Sequence, residues 1–178
     1  MENENTPNDL RSDLRQSAGR EWAEEAAEDE QLTEEFRNRQ MSLITVAEQA
    51  AHRGDRATAE FDGKALSGPI VATGLDYVTI TLSEQEAEIS IDAGVWSFVP
   101  GLTSTQPAAK TAMRLRARLS EHSRDNTRLR LELAGGNALM GTIHTVSEDH
   151  LRVSDADGRD VYVSMDLLRA VIRSTALH

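Results

Sequence analysis

A chain of 178 residues has room for one ordinary domain or two small ones. It holds no cysteine, which excludes disulfides and thiolate metal sites, and its net charge of −11 repels nucleic-acid phosphates on average. No stretch approaches the ~18 apolar residues of a membrane span, and no basic-then-apolar leader opens the chain, so a soluble, cytoplasmic protein with no membrane role is expected.

The charge is uneven. Residues 1–41 carry twelve acids and five bases, 42–100 nine and three, and 101–178 nine and eleven. The first of these segments opens with the polar run MENENTPND, a disordered tail by composition. From Arg20 it is rich in Ala, Glu and Gln, with Trp22 and Ala26, then Leu32 and Phe36, four apart. That apolar stripe is too thin for a stable lone helix, so 1–41 is expected to be an acidic extension, partly disordered or helical.

Ser42–Arg53 has the spacing of a helix. Thr45 and Glu48 sit as in a capping box, Leu43, Val46, Ala47, Ala50 and Ala51 form an apolar stripe, and Gly54 occupies the C-cap position. The period then falls to two. Ala59 and Phe61 mark a first strand, Asp62-Gly63 a tight turn, Leu66-x-Gly68-x-Ile70 a second strand, and Val78, Ile80 and Leu82 a third. A fourth carries Ile89-x-Ile91 and a fifth Val95 to Val99. Residues 101–109, opening GLTSTQP, read as a linker.

The pattern then repeats over 110–178. Pro107 stands near a helix start, Ala112, Leu115 and Leu119 follow helical spacing, and EHSRDN ends the helix. Leu131 and Leu133, Gly135-Gly136-Asn137, Leu139-x-Gly141-x-Ile143, Leu151 and Val153, Val161-x-Val163, and Leu167 to Val171 mirror the first set. Gly68 aligns with Gly141, Asp76 with Asp149 and Val78 with Leu151. Dropping one residue then aligns Ile89 with Val161, Ile91 with Val163 and Val99 with Val171. A period above seventy exceeds the roughly 20–50 residues of a solenoid unit, so the chain reads as two small domains of one fold, 42–100 and 110–178. Each copy comprises one helix and five short antiparallel strands, with a glycine bend in the second. That describes a small closed barrel, mainly β with a leading helix. A unit near sixty residues buries a marginal core, so the copies should pack on each other or on another subunit.

This pattern resembles the Sm-like (LSm, Hfq-like) family of small β-barrels, present as a tandem repeat, and is close to SH3-like barrels. The second copy carries the better match, through Leu139-x-Gly141-x-Ile143, Asp149-His150-Leu151-x-Val153 and Val161-Tyr162-Val163. The resemblance implies that His150 takes the base-stacking position and Arg152 the position of the motif's asparagine, with Tyr77 and Thr79 their counterparts in the first copy. The family's second motif brings an Arg-Gly or equivalent to its RNA pocket. Here those positions read Ser164-Met165-Asp166 and Asp92-Ala93-Gly94, and an aspartate there repels phosphate.

No enzymatic constellation assembles. His52, His122, His144, His150 and His178 lack the spacing of a zinc site, and no nucleophile elbow or phosphate loop is present. Asp155-Ala156-Asp157-Gly158 reads as a hairpin turn, and Asp76 and Asp149 as acceptors for backbone amides in a shared loop. A non-enzymatic protein without metal or cofactor is expected.

The one basic segment, 110–130, holds seven bases and two acids. On a helix Lys110, Arg114 and Arg118 would share a face, continued by Arg124 and Arg128. It is either a phosphate-tracking surface, with Tyr77 or His150 stacking a base and Arg152 beside them, or a face that pairs with the acidic 1–41 segment. The expected function is an assembly or protein-interaction module that pairs with itself or other proteins through barrel edge strands, as an oligomer or an intramolecular pseudo-dimer. The alternative is RNA or single-stranded nucleic-acid binding by 110–130.

Overall fold

The computed structural model describes residues 41–101 and 108–174, and Ser42–His178 forms one compact unit. The expectations for the acidic extension, for most of the linker and for His178 fall outside the described residues.

Helix α1, Leu43–Arg53, is capped by Ser42, whose side chain accepts the Thr45 N–H at 3.4 Å, one turn ahead of the capping box expected at Thr45. Gly54 ends it at φ 76°, a left-handed value that glycine adopts without strain, and its N–H bonds to Ala50 and Ala51 carbonyls. Strands β1 (Arg56–Phe61), β2 (Lys64–Thr73), β3 (Tyr77–Leu82), β4 (Gln85–Ser90) and β5 (Val95–Val99) follow. The β1–β2 turn has Asp62 at φ 48° and Gly63 at φ 73°, the pair of positive angles the Asp-Gly sequence led one to expect.

The second half departs from expectation at its start. Ala109–Lys110 forms a short strand, β6, parallel to β2, and helix α2 begins only at Leu115, running to Arg124. Of the three expected on one helical face, only Arg118 is therefore on α2: Lys110 lies on β6 and Arg114 is the extended N-cap residue. The strand forms because Ala109 and Lys110 lie against Ala72 and Thr73 of β2, a tertiary pairing that overrides local helix propensity. Strands β7 (Arg128–Leu133), β8 (Ala138–Val146), β9 (His150–Asp155), β10 (Asp160–Ser164) and β11 (Leu168–Ser174) complete the chain. Among the described residues no helix is long and apolar enough to cross a membrane.

The strands form a single sheet in the order β10-β9-β8-β7-β11-β4-β3-β2-β1-β5, with β6 added on β2. Each half has the order fifth, first, second, third, fourth. The two closed barrels expected from the sequence are replaced by one open sheet, because β4, paired with β3 on one edge, pairs antiparallel on its other edge with β11 of the other half.

The ladders also correct the repeat alignment. Ile91 N–H bonds the Asp76 carbonyl and Met165 N–H bonds the Asp149 carbonyl, so Ile91 matches Met165, and Ile89 matches Val163. One residue is inserted between the third and fourth strands of the second half, not dropped. A two-residue slip leaves every side chain on the same face, so hydrophobic alternation alone does not distinguish the two alignments. In the fifth strands, Val95 opposite Glu60 matches Ala170 opposite Glu132.

Two cores result, and each borrows from the other half. Ala170 and Ile172 of β11 are buried with Ala87 and Ile89 in the first core, while Tyr77 of β3 is buried with Leu119, Leu131 and Val171 in the second. The aligned glycines serve close approach of β2 to β3 and of β8 to β9. A Cβ at Gly68 would stand 2.0 Å from the Thr81 carbonyl oxygen, and one at Gly141 2.3 Å from that of Ser154. Gly68→Ala and Gly141→Ala should therefore each cost about 3 kcal/mol, read from urea unfolding curves, because the obstructing atoms are backbone.

Candidate interaction site

The β4–β11 junction is built around two buried carboxylates. Glu88 lies opposite Val171 and is 1% exposed. Arg118 Nε donates to its Oε1 at 2.7 Å, and His122 Nε2 stands 2.8 Å from its Oε2. Arg118 also binds Glu121 at 2.6 Å, which holds the guanidinium in place. Burial pushes the Glu88 carboxyl up, but the hydrogen bonds and charges of His122 and Arg118 outweigh it and hold the group below its ordinary value near 4.5. Tyr77 packs beside this cluster, its phenol pushed up by burial and then by the Glu88 charge.

The second carboxylate, Glu132 on β7, receives Lys64 of the first half at 2.5 Å and Arg130 at 2.6 Å. Further ties reinforce the joint. Arg173 pairs with Glu86 across β11 and β4, and the Leu115 N–H donates to Asp76 Oδ1 at 2.6 Å. Asp76 thus supplies the acceptor that Arg114, the N-cap residue of α2, does not, at the helix end where negative charge is favoured. The expected role of Asp76 as an amide acceptor is present, with its partner in the other half. At Asp149 the partner is instead the His150 ring, at 2.7 Å.

The same kind of edge lies open at both ends of the sheet. On β5 the row Val95, Ser97, Val99 faces outward, Val95 being 70% and Val99 57% exposed. On β10, the bonds from Asp155 N–H to the Arg159 carbonyl and from Met165 N–H to the Asp149 carbonyl set the alternation of the β9–β10 ladder. That alternation leaves the main-chain groups of Asp160 and Tyr162 pointing away from β9. The Tyr162 side chain is 64% exposed and its ring lies 5.8 Å from that of His150. Sequence reading missed Tyr162 as a surface residue because it sits between two valines of a strand taken as barrel wall.

The residues marked for nucleic acid do not converge. Lys110 pairs with Glu48 at 2.8 Å, Arg114 with Asp76 at 3.5 Å, and Arg118 is committed to Glu88 and Glu121. Arg124 donates to the Ser120 carbonyl at the end of α2, and Arg128 is exposed at the start of β7. Tyr77, 3% exposed, is out of reach of a base on the surface. Only His150 and Arg152, both on β9, stand together, with Arg152 Nη1 3.9 Å from Asp160. Asp155 accepts the amides of Asp157 and Arg159 and so closes the hairpin turn expected there. Among the described residues no group of three or more acidic or histidine side chains is placed to hold a metal. No family model matches the chain, and no curated protein matches it in sequence.

Proposed function

We propose that the chain is a non-enzymatic assembly module of two tandem Sm-like halves, which binds protein partners through the free edge strands β5 and β10. One observation carries this reading. The halves are already joined by pairing a fourth strand, β4, with a fifth strand, β11, and the fourth and fifth strands left over are the two ends of the sheet. An edge strand presents unpaired N–H and C=O groups, a template for another strand. The nucleic-acid alternative is the weaker, because three of its basic residues neutralise acids within the fold and its first-half aromatic is buried.

The test is a proline on the edge. Tyr162→Pro removes an N–H that points away from β9, so the β9–β10 ladder keeps its bonds. The variant should keep the circular dichroism and melting temperature of the wild type while losing its association in light scattering. Unchanged association would refute the edge reading.

A further inference from the structure

One half of the fold holds a filled slot whose counterpart in the other half is open. The helices correspond from their N-cap residues, Ser42 and Arg114. The second strands correspond through two like bonds, from the Gly74 N–H to the Tyr77 carbonyl and from the Ser147 N–H to the His150 carbonyl. On the helices Ile44 then matches Arg116 and Glu48 matches Ser120. On the strands Thr73, Gly74 and Leu75 match Val146, Ser147 and Glu148.

In the first half, residues 109–113 fill the slot between helix and strand end. Ala109 and Lys110 run parallel to Ala72 and Thr73. The Thr111 N–H donates to the Thr73 carbonyl at 2.9 Å, and the Leu75 N–H donates to the Met113 carbonyl at 2.8 Å. Lys110 Nζ reaches across to Glu48 at 2.8 Å. In the second half the same place is a groove of about 700 Å³, with Arg116, Ala117 and Ser120 on one side and Val146, Ser147 and Glu148 on the other. Because the Ser147 N–H bonds the His150 carbonyl, the alternation of the ladder turns the Val146 carbonyl away from β9. That carbonyl and the Glu148 N–H are the counterparts of the two groups that hold Thr111 and Met113. Neither has a main-chain partner among the described residues.

We infer that this groove binds an extended, acidic segment of a partner protein, laid parallel to the end of β8 as 109–111 lies along β2. The Val146 carbonyl calls for a donor and the Glu148 N–H for an acceptor, a pair that a peptide main chain supplies and a phosphate does not. The lining sets the charge. Where the first slot offers Glu48 to a lysine, the second offers Ser120 and, one turn earlier on the same helical face, Arg116. Arg116 is exposed and holds no ion pair among the described residues. A carboxylate at the place of Lys110 meets a hydroxyl and a guanidinium there, whereas a lysine meets like charge. That excludes 109–113 of a second copy, which already lies in its own slot. Leu75, 48% exposed, and Met113 give the groove an apolar wall for a neighbouring side chain. The groove is separate from the ends of the sheet, so the inference does not rest on the edge reading.

Two peptides, titrated into the isotope-labelled full-length chain and followed by amide nuclear magnetic resonance, test this. One is acetyl-AAKTAM-amide, the sequence of residues 108–113, and the other is the same peptide carrying Lys110→Glu. The glutamate peptide should shift the Glu148 amide signal and slow its hydrogen exchange, and should bind about tenfold more tightly than the lysine peptide. Methylating the peptide nitrogen at the place of Thr111 should abolish binding, because the Val146 carbonyl then receives no donor. Arg116→Glu should reverse the preference between the two peptides, and being exposed it should leave the melting temperature unchanged. An unmoved Glu148 amide, or a preference that survives Arg116→Glu, overturns the inference. So does a Glu148 amide already slow to exchange without peptide, since the groove is then filled from within the chain. Displacement of the glutamate peptide by hexauridylate would assign the groove to phosphate and overturn it as well.

Discussion

Replacing Arg118 with alanine should lower the unfolding free energy by about 3–5 kcal/mol, the range for breaking a buried ion pair by removing one partner. The magnitude follows from Glu88, which is almost wholly buried on β4 and keeps only His122 once the guanidinium is gone. Urea unfolding of Ser42–His178 is the measurement. The joint replacement Glu88→Leu, Arg118→Met, His122→Leu should cost far less than Arg118→Ala, because no charge is left uncompensated. A joint variant as unstable as Arg118→Ala would show that the cluster stabilises by more than mutual compensation.

The same cluster sets an acid limit. The folded state holds Glu88 below its ordinary value, so the unfolded chain binds the proton more readily. The stabilisation from its ionised form is present above the ordinary value near 4.5 and is lost as pH falls through the lower folded value. Acid unfolding should therefore begin below that point in the wild type. In Glu88→Gln, which keeps the shape and removes the titration, the stability remaining should depend less on pH over that range.

Cutting the chain between residues 101 and 108 should abolish the fold of both pieces. The first piece would lose Ala170 and Ile172 from its core and expose Ala87, Ile89 and Glu88. The second would lose Tyr77, the Asp76 cap and the Lys64 partner of Glu132. A unit near sixty residues has little stability to spare against losses of this kind. Far-ultraviolet circular dichroism of each piece should show little sheet, and mixing the two should recover the spectrum of the intact unit. Cooperative unfolding of either piece alone would show that the halves are independent domains.

The elements were legible in the sequence where the physics is local. The period-two runs, the Asp62-Gly63 turn, the Gly54 cap and the paired glycines Gly68 and Gly141 all stand where the residue pattern put them, since each depends on a few neighbouring residues. The helix expected from Pro107 was misplaced for the complementary reason: Ala109 and Lys110 pair with β2, about forty residues away. The basic residues do not share one helical face, because Lys110 lies on β6 and Arg114 caps α2, and the acids that pair with Lys110, Arg114 and Arg118, namely Glu48, Asp76 and Glu88, lie in the other half of the chain. Glu88 gave no signal at all, one acid among several in a short strand whose buried position depends on β11 and α2.

By itself, then, the sequence determined two copies of a helix followed by five strands, because alternation, turn chemistry and capping are written within a dozen residues. The tertiary structure alone decided that the copies share one sheet through β4 and β11, that the repeat gains a residue where the alignment dropped one, and which edges stay open. Those outcomes depend on strand partners and buried charge pairs between residues as far apart as Lys64 and Glu132, and no local pattern encodes a partner at that distance.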